Sequence, residues 1–281
     1  MSQSISSRIA ASEGKTAEKA SDSVTWAMRV KQAVSSIMLP LVTFVILFTG
    51  WELAVRLLDV QTVILPPPSA VFAELFTSIS FYMPHVGVTF YEAMVGFVIG
   101  TVLALIGGVI MSQSRLLERM LLPVAVLAHV TPIVVIAPLF MIWFGFGTFP
   151  KILVAAIISF FPMLINSTTG FRSVDESNYE YMRSLHASRW EIFFKLSLPG
   201  ALPFLFSAAR TCISMSVIGA VVGEMSGASK GLGNVVMVSA NYLQMERMFG
   251  AIFLLALMGI LLTNAVRIVE RRFLAWHSSG Q

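Results

Sequence analysis

Six apolar runs, each long enough to cross a bilayer, constrain this chain more than any other feature. A helix needs about 20 mostly apolar residues to span the hydrocarbon core. Runs of that kind occupy 37–58, 87–111, 121–144, 149–171, 201–223 and 249–268. Only 12% of the 281 residues are charged, about half the share that covers the surface of a soluble domain. The expected fold is therefore all-α and polytopic, with six transmembrane helices. The third run contains Pro123, Pro132 and Pro138. Proline removes a backbone donor, and a broken helix survives in lipid only where protein or a water-filled cavity supplies partners. Pro132 and Pro138 thus place this segment in the bundle interior, either as a packing kink or as part of a translocation path.

The basic residues choose a side. With the N-terminus inside, the inner segments hold Arg8, Lys15, Lys19, Arg29, Lys31, Arg115, Arg119, Arg172, Arg183, Arg189, Lys195, Arg267, Arg271 and Arg272. The outer side holds Arg56, Lys151, Lys230 and Arg247, and Arg210 lies within a span. Positive charge collects on the cytoplasmic side, so both termini are expected there. The chain then divides into a disordered polar tail (1–34), a first span (37–58), an external Pro-rich segment (59–86), a core of five spans (87–270) and a second tail (271–281). A short interfacial helix is expected over 69–83.

The longest inner loop, 172–200, lies between spans four and five. Ser177 with Glu180, and Ser188 with Glu191, both have the Ser-x-x-Glu form of a capping box. They predict two short helices, 178–185 and 189–197, the second stopped by Pro199, Gly200 and Pro203. His186 and Ala187 are left for a tight bend. On the second helix Trp190, Phe193 and Phe194 share one face, and Glu191 and Lys195 form an i, i+4 pair. That aromatic face calls for a partner groove, the lipid interface or the protein's own spans.

Other motifs carry less. Gly14-Lys15-Thr16 resembles the end of a phosphate-binding loop, but the required first Gly falls at Ile9, so no ATP site is expected in this chain. Gly227-Ala-Ser-Lys-Gly231 matches a nucleophile pattern that needs a preceding strand and a later acid and His. Only His277 follows, so no catalytic residues are expected. Cys212 stands alone, which excludes an internal disulfide or a cysteine metal cluster; no cofactor or metal is expected. Glu92 and Glu224 are acids at span ends, and ionisable groups at membrane depth carry function by default. Glu224 is assigned to a pore or gate, to a pairing with Lys230 or Arg210, or to the external surface. Gly96 and Gly100 have the spacing for close helix approach, and His129 reads as an interior or interfacial histidine. Neither inverted repeats nor buried charge pairs, the marks of a transporter working alone, are evident in the spans.

The stretch Glu180-Tyr-Met-Arg-Ser-Leu-His-Ala-Ser-Arg-Trp-Glu191, followed by Leu196-Ser-Leu-Pro199, resembles the EAA loop of ABC-importer permeases. That pattern is Glu-Ala-Ala, a spacer, Gly, nine residues, an apolar residue, any residue and Leu-Pro. Tyr181 and Met182 stand at the Ala positions and His186 at the Gly. The flanks Ala137-Pro-Leu-Phe-Met-Ile-Trp-Phe-Gly-Phe-Gly147, Phe160-Phe-Pro162, Phe171-Arg-Ser-Val-Asp175 and Lys230-Gly-Leu-Gly233 are similar to the nitrate/sulfonate/taurine branch. The resemblance runs from about Leu65 to Trp276. It implies a permease subunit of the inner membrane, in contact with membrane lipid and paired as a homodimer, with an ATP-binding partner subunit and a periplasmic binding protein and no nucleic acid. It also implies that Glu180, His186, Ala187, Ser188, Arg189, Trp190, Glu191, Leu198 and Pro199 form the ATPase-coupling loop. Pro132, Pro138 and Glu224 remain the expected path residues. The solute class it implies covers sulfonates, nitrate, taurine and vitamin- or pyrimidine-like molecules.

Overall fold

A computed structural model describes residues 38–274, so the expected N-terminal tail and residues 275–281 lie outside the described part. The chain divides into two units, residues 1–61 with 65–69, and residues 62–64 with 70–281. In the first, helix α1 (Met38–Leu57) carries a stacked ladder of Phe44, Phe48 and Trp51. Near its end the Glu52 carboxylate accepts from Arg56 Nε (2.6 Å), from the Ser69 backbone N–H (3.0 Å) and from the Ser69 hydroxyl (2.8 Å). That triple acceptance ties the Pro-rich segment back to the helix end.

The second unit is a helical bundle. Its elements are α2 (Pro68–Thr77), which begins in the first unit, then α3 (Ile79–Gln113), α4 (Arg115–Val130), α5 (Ile133–Phe144), α6 (Thr148–Arg172), α7 (Glu176–Ser184), α8 (Arg189–Ile192), α9 (Leu198–Met225), α10 (Leu232–Asn241) and α11 (Met245–Phe273). Five helical runs among the described residues are long and apolar enough to cross a membrane, six if the bent pair α4–α5 is one span. The second span begins at Ile79, earlier than expected, and passes through Pro84 unbroken. The expected interfacial helix over 69–83 is therefore two pieces, α2 and the first turn of α3.

Helix α6 is the hub, half enclosed by α3 and α9. Small residues set the spacing. A Cβ on Gly96 would lie 2.9 Å from the Ile152 carbonyl oxygen, and one on Gly219 would lie 2.7 Å from the Ala155 Cα. The expected packing role of Gly96 is thus met, and Gly219 does the same from the other side. Such close approach is how membrane helices gain contact where lipid supplies no hydrophobic drive. The core between these helices includes Ala93, Ala155, Ile213, Val217 and Ala220.

The proline-rich span breaks at one place. Thr131 is extended (ψ 127°) ahead of Pro132, and α4 and α5 meet there at 91°. A residue before proline is biased out of the α region, and Thr131 follows that bias where Leu122 and Ala137 stay helical. Pro123 and Pro138 sit inside their helices. The pair is not in the bundle interior, as expected, but on its flank: only Ala125, Ala137 and Met141 are buried. A small cavity of about 280 Å³ opens at the bend, lined by His129, Thr131, Pro132, Ile157, Phe161 and Met215.

Candidate functional site: the loop between α6 and α9

The loop is built from its caps. Asp175, not Ser177, caps α7, its side chain accepting from the Ser177 N–H at 3.3 Å. The expected Ser177–Glu180 box is not formed, because Asp175 two residues earlier already satisfies that turn. The Ser188–Glu191 box is complete. The Glu191 N–H donates to Ser188 Oγ (3.2 Å), and the Ser188 N–H and hydroxyl both donate to Glu191 Oε2 (2.8 and 2.9 Å). Glu191 also lies 3.6 Å from Lys195, the expected i, i+4 pair.

Between the two helices His186 has φ +59°. Its N–H donates to the Arg183 carbonyl (2.9 Å), and the Ala187 N–H donates to Met182 (3.1 Å). This is a left-handed helix end of the kind glycine favours, and histidine reaches it more readily than most residues. The bend expected at His186 and Ala187 is present.

The second helix does not stop at Pro199. Residues Phe193–Ser197 form a π-helical turn, and the Leu198 N–H bonds back to the Phe193 carbonyl. The widened turn carries α8 into α9 as one 37-residue helical run, Arg189–Met225. Pro199 follows directly on the π turn and Pro203 lies inside α9. The loop is thus rigidly joined to the span that follows it.

The three aromatics do not share one fate. Phe193 is buried, its ring 5.3 Å from Phe171, alongside Ala201. Trp190 and Phe194 stack on one another and stay 62% and 59% exposed. Phe193 therefore anchors the loop to the bundle, and Trp190 and Phe194 form an open aromatic face; Tyr181 and Glu180 on α7 are also exposed. Leu198 packs against the Phe171–Phe193 cluster, and Pro199 beside it is half-buried.

At the opposite end of α6 and α9 a polar cluster is buried. Lys151 Nζ donates to Glu92 Oε1 at 2.9 Å, and both side chains are enclosed. Glu224, fully buried, accepts from Thr89 Oγ1 and from the Gly233 N–H, each at 2.6 Å. Thr89 Oγ1 in turn accepts from the Leu232 N–H at 2.8 Å. No local side chain caps α10. Its first N–H groups are capped across the fold by residues of α3 and α9. Glu224 is thus neither solvated nor paired with Lys230 or Arg210, and it lies in a closed interior instead of on an open face. Arg210 pairs with Glu270 at 3.3 Å.

The buried Glu92–Lys151 pair also corrects the expectation that the spans hold no buried charge pair, and it moves Lys151 from the outer surface into the protein. The signal was available: an acid and a base each sit within or next to an apolar run. What sequence could not supply was that α3 and α6 bring them together.

A bundle of this kind, with a broken span and a capped helix–bend–helix loop rigidly joined to its next span, is the architecture of an ABC-importer permease. Residues 96–275 match the family of binding-protein-dependent transport system inner membrane components, and the chain belongs to that family. It is 32% identical to a probable ABC transporter permease protein of Haemophilus influenzae, over 84% of this chain and 96% of that one. It is 33% identical to a putative aliphatic sulfonates transport permease protein of Bacillus subtilis, over 82% and 84%. To a formylaminopyrimidine transport permease protein of Halalkalibacterium halodurans it is 29% identical, over 84% and 95%. In fold it is similar to a chain of the MetNI methionine ABC transporter in inward facing conformations, with TM-score 0.59 and 21% identity over 67% of this chain and 94% of that one. The protein is a multi-pass membrane permease of this transport family, not an enzyme.

Proposed function

We propose that two copies of this permease form one path for a small solute in the cell inner membrane, with both termini and the 172–200 loop on the cytoplasmic side. The relatives named for sulfonates, taurine, riboflavin and formylaminopyrimidine support a small polar organic solute, delivered from outside by a binding protein. The burial of Lys151 supports the orientation, since it removes one basic residue from the outer surface.

The observation that carries the coupling role is the pair Trp190–Phe194. Two stacked, exposed aromatics on a capped loop are the kind of anchor that dominates protein–protein contacts. A partner ATPase subunit is their proposed occupant, with Glu180, His186, Ala187, Ser188, Arg189 and Glu191 around them. ATP stays on that partner. Its binding energy would bias a two-state bundle, and the unbroken run into α9 supplies the lever. The flank formed by α4 and α5, bent at Pro132 and continued past Pro138, is proposed to face the path or the second copy. Exposed His129 and Thr131 at a broken helix suit water or protein, not lipid tails.

The test is uptake and co-purification. Glu180→Lys with Trp190→Ala is expected to abolish uptake and release the ATPase while the permease remains inserted and folded. Full uptake with the ATPase still bound in that variant would refute the coupling role.

A further inference from the structure

We infer that the cleft between the bundle and the α7–α8 loop binds a phosphoryl-bearing anion, a membrane phospholipid headgroup in the first instance. The cleft borders the coupling loop through Arg189, while Trp190 and Phe194, proposed to meet the ATPase, do not line it. The cleft holds about 540 Å³ and is lined by Arg115, Arg172, Arg189, Gln113, Tyr179 and Glu176, among others. Three arginines therefore line one space with a single lining carboxylate, Glu176, although Arg172 is already paired with Glu118.

Each arginine comes from a different element: Arg115 from the first turn of α4, Arg172 from the end of α6, and Arg189 from the start of α8. Arg172 is fixed by the structure. It pairs with Glu118 and donates from Nη2 to the carbonyls of Met111 (3.2 Å) and Ser112 (3.4 Å). Its Nε is nonetheless buried without a hydrogen-bond partner, a group that ordinarily finds one. Arg115 and Arg189 are exposed and have no ion-pair partner among the described residues.

Guanidinium forks match tetrahedral oxyanions in geometry as well as charge. Phe171, Ile192 and Phe193 also line the cleft, so apolar side chains stand beside the arginines. That combination suits a headgroup with the start of an acyl chain. Basic pockets between membrane helices on the cytoplasmic side take such headgroups. The cleft joins α4 and α6 to α8, so an occupant would hold the loop against the bundle and make coupling depend on the anion.

The experiment uses the full-length permease alone in nonionic detergent, so its outcome does not depend on the ATPase docking. Binding of phosphatidylglycerol is read by native mass spectrometry and by the shift in thermal unfolding midpoint. Phosphatidylcholine serves as the zwitterionic comparison, and inorganic phosphate at matched ionic strength is the soluble arm. Arg115→Gln is expected to weaken binding about fivefold, and Arg115→Gln with Arg189→Gln about 25-fold, from the worth of one basic residue near an anionic headgroup. Arg119→Gln, an exposed basic residue outside the cleft, is expected to leave binding unchanged. Sensitivity of the phosphatidylglycerol arm to the cleft variants supports the lipid source. The same sensitivity confined to the phosphate arm keeps the phosphoryl site and assigns it to a soluble ligand. Equal binding by wild type and both cleft variants in both arms overturns the proposal, as does an equal loss in Arg119→Gln. Cleft variants that bind both anions normally but lose the ATPase would assign the arginines to an acidic protein partner and also overturn it.

Discussion

At the scale of single residues, two polar groups show how burial changes what a side chain does. Glu224 stands where a pore acid was expected, yet it caps α10 from another helix through Gly233 and holds Thr89. Removing a buried partner leaves unsatisfied donors, at about 1–3 kcal/mol each. Glu224→Ala is therefore expected to lower the unfolding midpoint clearly and to free α10, read as faster hydrogen exchange over Leu232–Asn241. Lys151 and Glu92 form an enclosed pair. Lys151→Met strands a buried carboxylate and is expected to cost about 3–5 kcal/mol. The double variant with Glu92→Gln should recover much of that loss, and denaturation of all three proteins in detergent measures it. His186 sits at φ +59°. His186→Gly is expected to be neutral or stabilising by under about 1 kcal/mol, whereas His186→Ile should be destabilising by about 1–2 kcal/mol.

The elements show where local rules held and where neighbours overrode them. The Ser188–Glu191 box was legible because every group in it lies within four residues. Ser188→Ala is expected to cost the α8 start about 1 kcal/mol and to lower uptake more than insertion, checked by comparing transport per inserted molecule. The Ser177 box was equally legible and did not form, because Asp175 reaches the same turn first. Pro199 and Pro203 predict a stop, yet a π turn precedes them and the helix runs on. The first residue of that turn, Phe193, packs on Phe171 of α6, a contact between residues in different elements. The prolines of the third span divide likewise. Only Pro132 breaks it, since Thr131 ahead of it is extended while Pro123 and Pro138 are carried within helices.

For the whole molecule, apolar run length and sparse charge were enough to set the class, because a bilayer leaves helices as the economical way to bury backbone polar groups. Run length also placed five spans and the broken sixth. The sequence pattern likewise marked the loop, its bend and its family resemblance, since those depend on residues close together in the chain. Only the tertiary structure decided which face each helix turns to its neighbours. It enclosed Glu92 with Lys151, turned Phe193 inward and left Trp190 outward, and gathered Arg115, Arg172 and Arg189 from three helices around one cleft. For the spans the physical reason is rotation. A helix in a membrane can be apolar on every side, so its periodicity does not say where protein ends and lipid begins. Small-residue contacts such as Gly96 against α6 fix that rotation, and they are visible only once the helices are packed.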